Sequence, residues 1–411
     1  MVLFASSLLN LLTDQTQPLS QHPARARTRS LLLLLSIANF AIGFGAFIVV
    51  AILTPLADGL GVSDSTAGWS MTAYALAYAV GSPLGVAMTG RFGRRKVLAS
   101  GLGLFGLGAL ACAAAPSFEL LLTARAIMAL GGGLVTPVSA SVALVLVPEA
   151  QRGKALATVF GGLATAQALG VPVGAWLGYT LGWRETFVLA ALLALPMAAV
   201  LWLKLPKGLE VPINTLSALG KSLSRGALVL AVGFTVFFMG GVWVVYTYVG
   251  PLFEERLGLG GTGVSVLLFI FGIGAVLGNM MGGKLTDTIG PQRALTLLCV
   301  GQSIAMPLVT LFPFGDGPFS LAFAGILVIF WSVVGWSFMV PQQARLAALD
   351  PSLAPVLLAL NAAAIYVAAS LGAIIGGGVL TAYGLGPMGP VGVVLILIAL
   401  GSLFVVQRMA R

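Results

Sequence analysis

The chain has little charge. Asp, Glu, Lys and Arg together make up 8% of its 411 residues, whereas soluble globular proteins carry about 25%. Hydrophobic residues make up 59% of the chain, and an apolar surface of this extent is stable in lipid rather than in water. The scarcity of charge therefore excludes an ordinary soluble protein and predicts one that lies in a membrane.

Residues that serve catalysis or metal binding are also scarce. The two cysteines, Cys112 and Cys299, are too few and too far apart for a disulfide framework, so we interpret both as packing residues. The one histidine, His22, precedes the first long apolar run. No apolar run contains paired carboxylates or a set of metal ligands. We therefore expect no enzyme activity, no cofactor and no bound metal.

Long apolar runs are what the chain has in abundance. Nearly all of them reach the ~20 residues that cross a membrane. We number the runs as spans 1 to 12, and they cover residues 31–57, 67–89, 97–115, 119–147, 154–179, 186–204, 227–251, 263–283, 294–312, 319–341, 354–381 and 390–406. The sequence therefore predicts an all-α membrane protein with twelve transmembrane helices.

The basic residues predict the orientation. If the N-terminus is cytoplasmic, all but three of the 21 Lys and Arg residues, Arg345 among them, lie on the cytoplasmic side. Arg184 and Arg256 then lie outside, and Arg125 lies within span 4. This asymmetry follows the positive-inside rule, so we expect both termini in the cytoplasm. The same bias explains the net charge of +9, which gives no reason to expect nucleic acid as a partner.

Glycines four residues apart recur in every third span. Residues at this spacing share one helix face and let a neighbouring backbone come close. The recurrence indicates a three-helix unit used four times, and we expect these faces to meet where span 2 crosses span 11 and where span 5 crosses span 8. The glycines are Gly81 and Gly85 in span 2, Gly170, Gly174 and Gly178 in span 5, Gly274, Gly278 and Gly282 in span 8, and Gly372 and Gly376 in span 11.

The longest polar interruption divides the spans six and six. We expect a cytoplasmic tail at 1–30, a six-helix bundle at 31–204, a cytoplasmic linker at 205–226, a second six-helix bundle at 227–406 and a short cytoplasmic tail at 407–411. Internal duplication in a membrane protein is typical of transport folds, whose substrate site lies between the repeats near the middle of the membrane.

Several motifs carry a resemblance to a known family. A basic loop follows the second span of each half, and further motifs lie in spans 2, 4 and 5. Together they make the chain resemble the major facilitator superfamily, in particular its twelve-span drug:proton antiporter branch near the bacterial sugar, arabinose and purine-nucleoside efflux permeases and the chloramphenicol exporters. The motifs are the loops 90–96 and 283–293, the segment 67–78, Arg125 with Gly131–Gly133, and the stretch from Gly170 through Pro172 to Gly174.

The resemblance implies a fold and a function. The fold would be two pseudo-symmetric six-helix bundles in the bacterial cytoplasmic (inner) membrane, acting as a monomer. The function would be secondary active export of a small neutral or amphipathic solute, such as a sugar, nucleoside or drug, by alternating access coupled to proton influx. A solute importer or uniporter of the same fold stays open as an alternative, as does a non-transporting membrane receptor.

In this family the basic loops lock the cytoplasmic side while the outer side is open. The resemblance implies such a latch, although the first loop has Gly90 where the family pattern places an acid. Basic side chains near helix C-termini can bind the free carbonyls there. Charge that only sets the orientation is the alternative. The latch residues would be Arg91, Arg94, Arg95, Asp287 and Arg293.

Two residues are candidates for proton coupling. Arg125 resembles the arginine of span 4 that the family associates with coupling, and its alternative is an arginine that extends to the outer interface. Every acidic residue falls near a span end or in a loop. Asp58, at the end of span 1, is the nearest acidic candidate, with an ordinary interfacial acid as its alternative. In span 5, Pro172 predicts a kink because it removes a helix hydrogen bond.

By analogy with the superfamily, spans 1, 4, 7 and 10 line the cavity, with contributions from spans 2, 5, 8 and 11. Buried amides need hydrogen-bond partners, which favours a cavity or an interhelical bond, and Tyr and Trp also populate membrane interfaces. Tyr74 and Tyr78 share a helix face and form a possible gripping pair. The predicted cavity residues are Asn39, Phe44, Tyr74, Tyr78, Gln167, Trp243, Tyr246, Asn279, Trp331, Trp336, Asn361 and Tyr366.

Overall fold

The computed structural model describes residues 22–148, 151–209, 224–312, 318–350 and 353–409, and no strand occurs among them. Twelve helical stretches are long and apolar enough to cross a membrane. This confirms the predicted all-α fold with twelve spans. The predicted tails and the linker at 205–226 lie partly outside the described residues, so the boundaries between the predicted regions stay predictions.

Five of the spans consist of two consecutive helices. Spans 1, 2, 5, 7 and 10 are interrupted in this way, whereas each of the others is one continuous helix. In chain order the helices are His22–Ala51 and Leu53–Leu60 (span 1), Asp64–Ala67 and Trp69–Met88 (2), Arg94–Ala113 (3), Phe118–Leu146 (4), Arg152–Thr165 and Val171–Thr180 (5), Trp183–Lys204 (6), Gly226–Tyr246 and Val249–Leu257 (7), Gly261–Ile289 (8), Pro291–Leu311 (9), Pro318–Trp336 and Met339–Leu349 (10), Ala354–Tyr383 (11) and Met388–Met409 (12).

Spans 1 and 7 break in the same way. The breaks lie at Ile52, with φ −115° and ψ 23°, and at Tyr248, with φ −109° and ψ 23°. A proline follows three residues later in both, Pro55 in span 1 and Pro251 in span 7. Proline has no N–H and its ring clashes with the carbonyl four residues back, so the first helix ends there. The repeated break is local evidence that the two halves are related.

The short helices after these breaks also end alike. Gly61 and Gly258 cap them with positive φ angles of 65° and 61°. In this left-handed conformation a Cβ is strained, and glycine has none. Each half therefore reverses direction outside the membrane with the same device.

The two halves also repeat the same helix pairings. In the first half span 1 packs against spans 5 and 6, span 3 against spans 4 and 6, and span 2 against span 4. In the second half span 7 packs against spans 11 and 12, span 9 against spans 10 and 12, and span 8 against span 10. Adding six to each span number of the first half gives the pairings of the second. The molecule is therefore two pseudo-symmetric six-helix bundles.

Two helix pairs join the bundles. Span 2 packs against span 11, and span 5 packs against span 8. These are the crossings that the glycine pattern predicted. The ends of spans 1 and 7 that lie opposite the chain's two termini add a smaller contact, and we call this end the outer end, after the predicted orientation. We call this contact zone between the halves the seam.

The repeated glycines do not face the seam, so that part of the prediction is wrong. A Cβ at Gly174 would lie 2.9 Å from Ile48 Cγ1 of span 1, and one at Gly278 would lie 2.5 Å from the carbonyl oxygen of Val333 in span 10. Gly170 and Gly178 likewise face span 1, Gly274 and Gly282 face span 10, Gly81 and Gly85 face Leu130 and Leu134 of span 4, and Gly372 and Gly376 face the backbone of span 7. The repeats therefore hold each half together internally.

Isolated glycines make the close approaches across the seam. A Cβ at Gly272 would lie 2.6 Å from Ala168 Cα, which joins span 8 to span 5. One at Gly68 would lie 2.8 Å from the Tyr248 ring, which joins span 2 to span 7. Because these glycines have no partner four residues away, the repeat pattern did not single them out.

The α-helix of span 5 is interrupted next to Pro172 by a π-helical turn, and the predicted kink itself stays a prediction. Residues Ala166–Gly170 form this turn, and Pro172 lies at the start of the helix that follows. A π turn holds an extra residue, which often marks a functional position in a helix. The proline and the turn together interrupt span 5 where it packs against span 8.

Candidate substrate site

An aromatic cluster occupies the centre of the second half. The Tyr246 ring stacks on Phe271 with centroids 4.8 Å apart and meets Trp336 edge-on at 5.3 Å. Trp331 lies 5.1 Å from Phe271, and Trp243 lies 5.0 Å from Tyr246. The structure thus brings together four predicted cavity residues from spans 7 and 10. It adds Phe271 of span 8, which carried no polar or repeat signal in the sequence.

Three tyrosines meet where span 2 crosses span 11. The rings of Tyr78 and Tyr366 stack across the seam with centroids 3.7 Å apart. Tyr74 lies one helical turn from Tyr78, at 6.3 Å, and 6.4 Å from Tyr366. All three side chains are buried. The predicted gripping pair therefore has a third member from the opposite half.

Two further contacts cross the seam near the same depth. Trp336 Nε1 donates a hydrogen bond of 2.9 Å to Gln167 Oε1, which joins span 10 to the π turn of span 5. The Phe47 ring stacks on Trp243 at 5.9 Å, which joins span 1 to span 7. The predicted cavity residues Gln167, Trp243 and Trp336 thus lie at the junction of the halves. In this conformation they fill it.

The remaining predicted cavity residues differ in their partners. Asn39 Nδ2 donates to the Leu35 carbonyl at 2.8 Å, while its buried Oδ1 has no partner among the described residues. Asn279 donates to Ala275 of its own helix at 3.3 Å. Asn361 accepts a hydrogen bond from Thr235 of span 7. This is the bond between helices that the sequence analysis gave as the alternative to lining the cavity. Phe44 stacks on Phe40 at 6.5 Å and lies beside Gly170.

The outer end of the seam is closed. The Tyr248 ring covers Gly68 of the other half, and its hydroxyl donates to the Ala373 carbonyl at 2.8 Å. A Cβ at Gly250 would lie 3.5 Å from the carbonyl oxygen of Val50. Together with the contacts at mid-depth, these close the path between the halves toward the outside.

The cytoplasmic latch residues make local contacts. The Arg95 guanidinium lies 4.7 Å from the Trp202 ring of span 6, and Arg91 lies 5.8 Å from Phe92. Arg94 is buried at the start of span 3. Asp287 and Arg293 are exposed. The predicted latch would form in the conformation that is open to the outside and closed to the cytoplasm, so it stays a prediction.

Arg125 lies in the interior of the first half. Its side chain has 0% exposure and donates to the carbonyl of Gly45 at 2.7 Å, of Ala46 at 3.0 Å and of Ser70 at 3.3 Å. The guanidinium also lies 4.4 Å from the Tyr74 ring. The alternative of an arginine that extends to the outer interface is therefore wrong. Spans 1, 2 and 4 are tied together by one cation beside the tyrosine cluster.

Asp58 is exposed where span 1 ends. Another acid is placed closer to the seam: Asp64, at the start of span 2, is half-buried and experiences the charges of Glu254 and Glu255 at the end of span 7. Carboxylates of the two halves therefore lie near enough for their charges to interact. The part of Asp58 in coupling stays a prediction.

Arg345 is buried as well, together with Arg94 and Arg125, although the sequence analysis placed it beyond the end of span 10 on the cytoplasmic side. Its side chain has 6% exposure. The predicted span 10 ends at residue 341, whereas the helix Met339–Leu349 extends past it. Arg345 Nη1 lies 3.4 Å from Gln342 Oε1. The apolar Leu346 and Leu349, which lie three residues apart as on one helix face, were the signal that the helix continues.

Known proteins of similar sequence and fold are consistent with this architecture. A family model of the Major Facilitator Superfamily matches residues 35–373. The chain is 33% identical over 346 residues to the uncharacterized MFS-type transporter YbcL of Bacillus subtilis, which covers 84% of this chain and 87% of that protein. It is 31% identical over 357 residues to the inner membrane transport protein YdhP of Escherichia coli K12, covering 86% and 90%.

A solved structure resembles the whole fold. A bacterial homolog of the human lysosomal transporter Spinster, in an inward-facing and unoccupied conformation, superposes with a TM-score of 0.73 at 16% identity and covers 93% of this chain and 97% of that one. At this identity the likeness concerns the fold alone. The match agrees with the all-α fold of twelve spans.

Proposed function

The chain belongs to the Major Facilitator Superfamily, and from that premise we propose that it exports a small neutral or amphipathic solute across the bacterial cytoplasmic membrane by alternating access, coupled to proton influx. It is a multi-pass membrane protein. The proposal concerns the direction, the cargo and the coupling. Both termini would lie in the cytoplasm, and the chain would act as a monomer.

The seam is the observation that supports this proposal most. Contacts across it lie at the outer end and at mid-depth, where Tyr78 meets Tyr366 and Gln167 meets Trp336. Each of these contacts joins one six-helix half to the other. Rocking one half against the other would part them and open the path to the outside, as alternating access requires.

The chemistry of the mid-depth residues supports the class of cargo. Tyrosine, tryptophan and amide side chains present apolar rings with a few hydrogen-bonding groups. Such a lining favours a sugar, a nucleoside or an amphipathic drug over a highly charged ion. The cargo would contact Tyr74, Tyr78 and Tyr366 from one side and Trp243 and Trp336 from the other.

Proton coupling would use groups near the outer end of the seam. The carboxylates of the described residues lie at span ends rather than at mid-depth. Arg125 lies beside Tyr74, and Asp58 and Asp64 flank the turn between spans 1 and 2. A proton taken up by an outer acid would reduce like-charge repulsion across the seam and favour the closed outer side.

Inverted membrane vesicles test the proposal. A sensitivity screen of cells that overproduce the protein identifies the solute, and its radiolabelled form is then offered to vesicles with an acidic lumen. We expect accumulation that a protonophore abolishes. Vesicles containing the Arg408→Gln variant, which changes an exposed charge at the end of span 12, should accumulate the solute as the wild type does.

Other outcomes would contradict the proposal in distinct ways. Equilibration of the solute across the vesicle membrane that does not depend on the pH gradient would indicate a uniporter. Accumulation in right-side-out vesicles alone would indicate an importer. Binding without any flux would indicate a receptor.

A further inference from the structure

Among the residues that the structure describes, Arg345 is a buried cation without a counter-charge. Its side chain has 6% exposure, and no ion pair or carboxylate contact forms to it within the described part of the chain. Its Nη2 atom is buried without a hydrogen-bond partner there. Taking an ionised group out of water is costly unless it is paired and hydrogen-bonded. A guanidinium in this condition is able to bind an anion.

The neighbouring amide is held in a fixed orientation. Gln342 Nε2 donates to the Ala231 carbonyl at 2.9 Å and to Thr235 Oγ1 at 3.0 Å. Thr235 in turn donates to Asn361 Oδ1 of span 11. With both amide protons used, Gln342 directs its Oε1 to Arg345 Nη1, at 3.4 Å. Three spans thus position the guanidinium, and the long bond leaves most of its donor capacity free.

An aromatic row lies beside the guanidinium. Arg345 is 5.9 Å from the Phe234 ring. Phe234 stacks on Phe238 at 5.6 Å, and Phe238 stacks on Phe338 at 5.3 Å. A cation next to a row of apolar rings matches a ligand that joins an anionic group to an apolar body.

We propose that Arg345 binds the carboxylate of a small aromatic acid, whose apolar part contacts the phenylalanine row between spans 7 and 10. The planar fork of an arginine matches both oxygens of a carboxylate. Such an acid is amphipathic, so the site narrows the class of cargo for the proposed exporter. That the acid is transported rests on the proposed export function, whereas its binding to Arg345 does not depend on transport.

Thermal unfolding of the purified full-length protein tests the binding. Benzoate is the probe, and benzamide is the neutral control of the same shape. We expect benzoate to raise the melting temperature of the wild type, since a ligand that binds the folded state stabilises it, and benzamide to leave it unchanged. Arg345→Gln should weaken the apparent affinity for benzoate by roughly tenfold or more, because charge-assisted hydrogen bonds are lost.

Two further variants keep the test decisive. Arg408→Gln removes an exposed cation from the same end of the second half and should respond to benzoate as the wild type does. Gln342→Glu places a carboxylate beside Arg345 but loses the hydrogen bonds that Gln342 donates to Ala231 and Thr235. Its melting temperature without ligand should therefore fall, and in the folded protein the carboxylate should abolish the benzoate response. This second variant answers the question even if Arg345→Gln fails to fold.

The proposal is overturned if the wild type does not respond to benzoate, if benzamide has the same effect, or if Gln342→Glu responds as the wild type does. An unchanged benzoate response in folded Arg345→Gln protein would overturn it too. Detergent solution contains no proton gradient. Binding can therefore be present while vesicle flux is absent, which would refute the export function alone.

Discussion

The interior of each half and the seam between the halves are built from different contacts. Inside the halves, repeated glycines bring helix backbones together, as at Gly278 against Val333 and Gly376 against Val244. At the seam, aromatic rings and single hydrogen bonds join the halves, as at Tyr78 with Tyr366, and close backbone approaches are limited to isolated glycines such as Gly272. Backbone-close packing leaves no room for relative movement, whereas flat rings can part and meet again. The difference indicates which surfaces stay fixed during transport and which separate.

Span 8 offers the sharpest test, because it carries glycines of both kinds. Gly278→Leu is expected to have the largest effect. A Cβ there would meet the Val333 carbonyl oxygen of the same half at 2.5 Å, so a leucine forces spans 8 and 10 apart and folded protein should be lost. Size-exclusion chromatography of the solubilised protein measures the loss. Gly283→Leu is the control on the same helix, since a Cβ at Gly283 meets nothing within 4 Å.

Gly272→Leu is expected to leave folding intact and abolish transport. Its Cβ would meet Ala168 of the opposite half, so each half can still pack while the outward-closed seam cannot form. Vesicle flux and the yield of monodisperse protein measure the two effects. Gly401→Leu in span 12, where a Cβ meets nothing within 4 Å, should transport normally. Loss of folding in Gly272→Leu, or normal flux, would remove the distinction between seam and interior.

Arg125→Lys tests the polar tie within the first half. A lysine keeps the charge, but its single ammonium cannot reach the carbonyls of Gly45, Ala46 and Ser70 together. We expect a loss of about 2 kcal/mol in stability, the scale of one or two charged hydrogen bonds. Chemical denaturation of the purified protein measures it. Stability equal to that of the wild type would mean that the three bonds do not hold spans 1, 2 and 4.

Trp336→Phe should have the smallest effect. It removes the hydrogen bond to Gln167 across the seam and keeps the aromatic packing, at a cost of about 1 kcal/mol to the outward-closed state. The melting temperature should hardly change, while the population of outward-open molecules rises. Distance measurements between spin labels on the outer ends of spans 1 and 7 report that population. An unchanged distribution would show that the bond does not stabilise closure.

The sequence was informative about which helices exist and which of them cross. Apolar length predicted the spans, the recurrence of glycine pairs predicted the crossings at the seam, and Pro172 predicted the interruption of span 5. Each of these depends on spacing along one helix. The direction of the glycine faces depends instead on how each helix is rotated in its bundle, and the π turn Ala166–Gly170 changes that rotation within span 5. A pattern of spacings does not contain this information.

The candidate site was predictable in part. Aromatic and amide residues such as Tyr78, Gln167 and Trp336 stood out because polar side chains are rare in apolar spans. Phe271 did not, since a phenylalanine in a span is ordinary. Arg345 was placed beyond span 10 because the apolar run 319–341 ends before the polar Gln342 and Gln343, whereas the helix continues to Leu349. A buried charge near the end of a span can therefore be recognised only from the three-dimensional arrangement of its neighbours.

The glycine contacts inside each half also have a consequence for how the protein can be produced. The repeated glycines of each bundle contact helices of the same bundle, and the seam is the surface through which the two bundles associate. Two polypeptides separated between Lys204 and Gly226 and synthesised in one cell should therefore associate in the bilayer and restore activity. Such a split pair would allow isotopes or labels to be placed in one bundle alone.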